Sequence, residues 1–200
     1  MQAEFWNERY KEEVFAYGIE ANDFLRTQSF PEGSKILCLA EGEGRNGVYL
    51  AEQGHDVTCV DYSEEGIRKM TQLAEMKGVV IHPVLADLNE YEFQPNAWEG
   101  IVIIFGHLPT ALREKVHGQF FKALKSGGKL VLEAYHKSQM EYKTGGPMTE
   151  TMLYSEEELR SDFHEFEHLE IHQLEREVHE GEFHFGTAAV IQVVAEKQRT

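Results

Sequence analysis

A doubly wound α/β fold is predicted by three observations. Short apolar runs alternate with amphipathic stretches as far as residue 135, a glycine-rich turn follows the first run, and two long extended segments close the chain. A crossover through a helix joins parallel strands, whereas the few residues around Gly181 can join only antiparallel ones. The expected sheet therefore has seven strands, mostly parallel with an antiparallel last strand, and helices on both faces.

The elements follow in order. A first helix is expected over 4–28, with Gly18 as a possible break. Residues 36–41 read as a buried strand, 45–53 as a helix stopped by Gly54, 57–63 as a second strand and 64–77 as a second crossover helix. A third strand over 79–87 precedes a loop through Pro95, and a fourth spans 100–105. A helix over 110–125 is expected to end at Ser126-Gly127-Gly128, ahead of a fifth strand over 129–135. The long irregular stretch 136–154 has the length of a functional loop and reads as a lid. Ser155 and Glu158 form a capping box for a helix over 156–163, and strands over 168–178 and 183–196 complete the chain. One domain, 1–200, with 1–30 as a helical cover, accounts for all of this.

The chain has 35 acidic against 19 basic side chains, a formal charge of −16, which repels nucleic-acid backbones. It shows neither a bilayer-spanning apolar run nor a signal-peptide core, and Cys38 and Cys59 fall in buried strands as reduced thiols. A cytoplasmic protein acting on a small molecule, with no nucleic-acid or membrane partner, is the expectation.

The turn after the first strand carries Gly42, Gly44 and Gly47, the G-x-G-x-x-G spacing of dinucleotide sites. A pyrophosphate needs bare N–H groups free of nearby anions, and here Glu41 and Glu43 flank Gly42. Those carboxylates favour a cationic, phosphate-free nucleoside such as S-adenosylmethionine. Asp61 ends the second strand, where an acid accepts from ribose hydroxyls; Tyr62 and Ser63 follow it at the adenine edge. The metalloprotease-like string HEFEH at 164–168 runs from a short helix into a strand, so its histidines would not converge on a metal, and no metal is expected.

With these features the chain resembles the class I S-adenosylmethionine-dependent methyltransferases, a Rossmann-like family. It is most similar to the small-molecule branch that includes tellurite-resistance-type and thiopurine-type enzymes. The resemblance rests on Cys38 to Gly44, on WNERY at 6–10 and on GPMTETMLYSEEEL at 146–159. It implies that the loop residues Glu41, Gly42, Glu43, Gly44, Arg45 and Asn46 hold the cofactor, joined by Asp61, Tyr62 and Ser63. It adds Asp87 and Leu88 at the adenine amino group and Phe105 beside the methyl. His107, His136 and Tyr142 follow strands four and five and are the candidate catalytic residues. The His107-Leu108-Pro109 sequence differs from the string of base amino-group methylases, which leaves a soft nucleophile such as sulfur, selenium or tellurium among the possible acceptors. Two rival readings remain at this point, an NAD(P)-dependent oxidoreductase and a non-catalytic S-adenosylmethionine-binding module. Neither the acceptor nor the oligomeric state is legible.

Overall fold

A computed structural model describes residues 3–142 and 144–199. Seven strands form one sheet in the order β3-β2-β1-β4-β5-β7-β6. They are β1 (Lys35–Leu39), β2 (Asp56–Asp61), β3 (His82–Leu85), β4 (Trp98–Ile104), β5 (Leu124–Tyr135), β6 (His168–Glu180) and β7 (His184–Glu196). β1 to β5 pair in parallel, whereas β7 runs antiparallel to both β5 and β6. Seven helices surround the sheet: α1 (Ala3–Tyr10), α2 (Asp23–Arg26), α3 (Arg45–Glu52), α4 (Glu64–Lys77), α5 (Thr110–His117), α6 (Phe120–Ala123) and α7 (Glu156–Asp162).

The period-2 alternation of the strands divides the core. Ile36 and Cys38 face the layer of Leu25, Val48, Met70 and Leu73, while Leu37 and Leu39 share the opposite layer with Phe120, Leu159 and Phe163. Both layers are apolar because each face of the parallel sheet is covered. Cys38 and Cys59 are register partners on adjacent strands, buried as free thiols. The capping box of Ser155 and Glu158 opens α7 as expected, and Ser63 caps α4 by accepting from the Gly66 amide. Among the described residues no helix is long and apolar enough to cross a membrane.

Three expectations are corrected. The helix over 4–28 is two short helices joined by an irregular segment. The buried Lys69 ammonium takes the carbonyls of Glu12 and Val14, at 2.8 and 2.6 Å, and Gly18 turns the chain with φ +73°. The third strand is only His82–Leu85, because Gly78 and Val79 are used to close α4 and Pro83 lacks an N–H. The helix over 110–125 ends at His117, and after α6 the strand has already begun at Leu124, which pairs with Trp98 ahead of a register shift.

The turn of the β6–β7 hairpin supports the N-terminal segment. Glu182 N–H donates to the Ala16 carbonyl at 3.1 Å, and Gly181, with φ +69°, lies against the backbone of Ala16 to Gly18. A Cβ at Gly181 would sit 2.3 Å from the Ala16 oxygen and 2.5 Å from Tyr17 Cα. Gly181→Ala should therefore cost about 1–3 kcal/mol in urea denaturation, by forced displacement and by strain at positive φ. Amide exchange at Gly18 and Glu182 should accelerate about tenfold for each 1.4 kcal/mol lost there, while the β1–β4 amides keep their relative protection.

Candidate active site

The strand order reverses between β1 and β4, and a ligand crevice is expected beyond the carboxyl ends of such strands. Two non-glycine residues adopt left-handed backbone there, Ala40 after β1 (φ +50°) and Phe105 after β4 (φ +51°). Backbone strain of this kind persists only where the surroundings enforce it. The Phe105 N–H donates to the Glu133 carbonyl at 2.7 Å, and Gly106 packs against Ala40 and Ile103.

Asp61 organises the side of the switch point nearest β2. One carboxylate oxygen accepts the Gly42 N–H at 2.8 Å and the other the Ser63 N–H at 2.9 Å, which ties the glycine loop to the end of β2. Burial raises the Asp61 pKa, and the backbone donors act against that rise. Ser63 donates its hydroxyl to Asn7 at 2.7 Å, which fastens α1 over the crevice. Tyr62 meets the Trp6 indole N–H, and burial pushes its hydroxyl up to about 12. Tyr10 stacks on Trp6 and covers the glycine loop so closely that a Cβ on Gly42 would lie 2.7 Å from its hydroxyl. Asp87 is exposed two residues beyond β3 and accepts the Asn89 N–H at 2.8 Å, while Leu88 is buried in the core. Two open cavities lie elsewhere. One, of about 520 Å³, includes Phe30, Glu99 and Lys129 at the amino ends of the strands; the other, of about 340 Å³, adjoins Leu88, Tyr91 and Phe93.

The charged side chains of the loop are turned to structural partners. Glu41 Oε1 accepts the N–H groups of Asn46 and Gly47 at 2.9 and 2.7 Å, capping α3, and burial raises its pKa to about 7. Glu43 pairs at 2.6 Å with the fully buried Lys69. Arg45 reaches Glu180 at 2.6 Å, and Asn46 accepts the Asn22 N–H at 2.9 Å. Neither carboxylate beside Gly42 is thus a free anion, and the charge-based argument against a phosphate loses its footing. What the loop offers a ligand is backbone.

The three candidate catalytic residues do not converge. His107 is half-buried, with Nδ1 at 2.8 Å from the Met152 carbonyl and Nε2 accepting the Tyr135 N–H at 3.3 Å. A carbonyl can only accept, so Nδ1 carries the proton and both nitrogens are committed. Burial lowers its pKa to about 4. His136 hydrogen-bonds Ser138 at 2.8 Å and meets Gln173 on β6 at 3.2 Å. Tyr142 is directed at Glu175. The rings gathered beyond Phe105 are Tyr135, at 4.6 Å between centroids, His184, at 4.8 Å, and His107, at 6.3 Å and stacked on Tyr135 at 5.4 Å, with Tyr17 4.5 Å from His184; His136 and Tyr142 lie outside this group. Neither Tyr135 nor His184 is among the three catalytic candidates named from the sequence. The available signal was Glu180-Gly181-x-x-His184, an acid and a histidine facing each other across a turn.

Two outcomes follow from the buried charges. Lys69→Met leaves Glu43 buried without a counter-charge and should cost about 3–5 kcal/mol in denaturant titration; adding Glu43→Gln should recover most of it. For Glu41 the folded-state pKa lies above the ordinary glutamate value, so the folded protein binds the extra proton between pH 4.5 and about 7. Its contribution to stability is full below pH 4.5 and is lost as the pH rises through about 7, a change of about 3 kcal/mol. Relative to wild type, Glu41→Gln should lack that slope in stability measured from pH 4.5 to 8.

Residues 36–128 match the family model described as a methyltransferase domain. The uncharacterised methyltransferase YbaJ of Bacillus subtilis is 32% identical over 101 residues, 50% of this chain and 40% of its own length. The probable S-adenosyl-L-methionine-dependent methyltransferase TehB of Haemophilus influenzae is 29% identical over 152 residues, 72% of this chain and 50% of its own. The chain thus spans about half the length of these curated relatives. The crystal structure of TehB from Haemophilus influenzae superposes with a TM-score of 0.72 at 21% identity, over 98% of this chain and 67% of that one. Residues 36–128 thus carry a methyltransferase-domain match, and with the observed strand order and glycine loop the chain is similar to S-adenosyl-L-methionine-dependent methyltransferases.

Proposed function

We propose that this chain transfers a methyl group from S-adenosylmethionine to a small-molecule acceptor. The observation that carries the reading is Asp61, whose carboxylate joins the glycine loop to the end of β2 at the switch point of a methyltransferase-family sheet. The residues present fit such a cofactor. Asp61 keeps lone pairs for ribose hydroxyls beyond its two N–H contacts, and Gly42 presents bare backbone beneath Tyr10. The cofactor supplies an activated methyl on a sulfonium whose departure leaves a neutral thioether. The chain's own contribution is orientation and exclusion of water. Trp6, Tyr10 and Tyr17 cover the crevice from the N-terminal segment, and Gly145 and Gly146 of the loop 136–154 close over Tyr135. We assign both segments as covers.

Calorimetric titration with S-adenosylmethionine, its demethylated product and NAD(H) tests this. The first two should bind with dissociation constants on the order of micromolar, about −8 kcal/mol, and NAD(H) should give no heat of binding. Asp61→Asn should weaken both about ten- to a hundredfold, the weight of a charge-assisted hydrogen bond. Binding of NAD(H) alone would sink the proposal. Binding of S-adenosylmethionine without turnover of any thiol, hydroxyl, amine or chalcogen oxyanion would leave a binding module in its place.

A further inference from the structure

Two buried polar side chains lie beyond Phe105 without a hydrogen-bond partner. The Tyr135 hydroxyl is fully enclosed and unpartnered. His184 is 8% exposed, and its Nδ1 is likewise unpartnered, lying 3.6 Å from Glu180 Oε2. Its ring is bounded by Tyr17, Phe105 and Tyr135, with centroids 4.5, 4.8 and 5.3 Å away. Burying the Tyr135 hydroxyl without a partner costs free energy, which is offset where a ligand supplies the missing bond, whereas His184 Nδ1 has Glu180 as its ion-pair neighbour. Glycines line the wall above them. A Cβ on Gly145 would lie 2.8 Å from the Tyr135 hydroxyl and 3.1 Å from the His184 ring, and one on Gly146 would lie 2.6 Å from the Tyr135 ring.

We propose that His184 and Tyr135 form the acceptor end of the site: His184 Nε2 takes the proton of a neutral hydroxyl or thiol acceptor, and the Tyr135 hydroxyl hydrogen-bonds the same heteroatom. The proposal rests on the methyl-transfer reading. As the acceptor's oxygen or sulfur bonds to the methyl carbon, the sulfonium's sulfur–carbon bond breaks and its electron pair stays on sulfur. The acceptor's proton passes to Nε2 and from there to water. Phe105, Tyr17 and the Tyr135 ring surround an apolar or aromatic frame.

Glu180 is the positioning residue. Its Oε2 is held at 2.6 Å by Arg45 and faces Nδ1, so the imidazolium formed on proton uptake lies beside a carboxylate. The groups facing His184 are Glu180 and Arg176 from β6, Arg45 from α3, Tyr17 from the N-terminal segment, Tyr135 from β5 and His107 from the end of β4. Burial lowers the His184 pKa, Glu180 acts against that, and Arg45 and Arg176 lower it further, which leaves a neutral base at pH 7. An acceptor that is already an anion has no use for such a base.

The test uses the full chain, ¹⁵N-labelled at histidine and saturated with the demethylated cofactor, with phenol as the protic probe and anisole as its aprotic match. Phenol should shift the His184 Nε2 resonance upfield and anisole should not. Tyr135→Phe should weaken phenol binding about fivefold and leave the affinity for the demethylated cofactor within about threefold. The resonance is assigned by its loss in His184→Gln, or by through-bond correlation if that variant does not fold. Equal shifts with phenol and anisole, or no shift with phenol in the cofactor-saturated protein, would overturn the acceptor assignment while methyl transfer stands. Failure of the wild-type chain to bind the demethylated cofactor would overturn the methyl-transfer reading itself.

Discussion

Glu180 fastens three parts of the chain together through one carboxylate. Its carboxylate takes Asn22 at 2.8 Å from the N-terminal segment, Arg45 at 2.6 Å from the start of α3, and Arg176 at 3.3 Å from its own strand. Burial alone would raise its pKa, but His184, Arg45 and Arg176 outweigh that and hold it well below the usual carboxylate range. Glu133, fully buried on β5, repeats the arrangement with Asn22, Arg176 and Gln192. Apolar side chains could fill this volume at comparable stability, since desolvating ion pairs offsets most of their attraction. They would not fix the glycine loop, the cover and the hairpin in one relative position, as directional bonds to shared carboxylates do.

The same logic governs the glycine loop. A turn built for close approach has few side chains with which to hold itself, and three anchors compensate. Asp61 grips Gly42 from β2, Glu41 folds back to cap α3, and Glu43 reaches Lys69 on α4. Each uses a buried carboxylate, so the acidic residues of the loop are taken up by internal partners. The left-handed residues Ala40 and Phe105 lie on either side of this arrangement, at the ends of the two central strands.

The sheet was legible because its signals are local. The apolar run of Ile36 to Leu39, the Ser155–Glu158 box and the turn at Gly181 each need only neighbouring residues. The placement of the candidate residues was legible where it is backbone or strand end, with Gly42 in the turn after β1, Asp61 at the end of β2 and Phe105 just after β4. It was misread where the outcome depends on partners distant in sequence. Glu41 and Glu43 looked like free charge because nothing near them announces Lys69 or the cap on α3. His107 looked reactive because the Met152 carbonyl lies 45 residues away. The helix over 4–28 failed for the same reason, since Lys69 competes for carbonyls that a helix would use internally.

The cover is held unequally along its length. Residues 14–22 are bound by buried interactions, with Lys69 at the Val14 carbonyl, Gly181 against Ala16 to Gly18, and Asn22 shared between Glu133 and Glu180. α1 is attached by Asn7 to Ser63 and by its ring contacts, and the residues joining it to the rest, Lys11 to Glu13, are exposed. Lifting α1 costs the hydrogen bonds of Asn7 with Ser63 and Glu65, of Trp6 with Tyr62 and of Arg9 with Tyr17, each on the order of 1 kcal/mol net, together with the aromatic burial of Trp6 and Tyr10. Lifting 14–22 would strip buried charges of their partners, at several kcal/mol for each one left uncompensated. Access to Gly42 and Asp61 is therefore least costly by displacement of α1 alone. That movement leaves Glu180, Arg45 and His184 in place, because their mutual contacts do not involve α1.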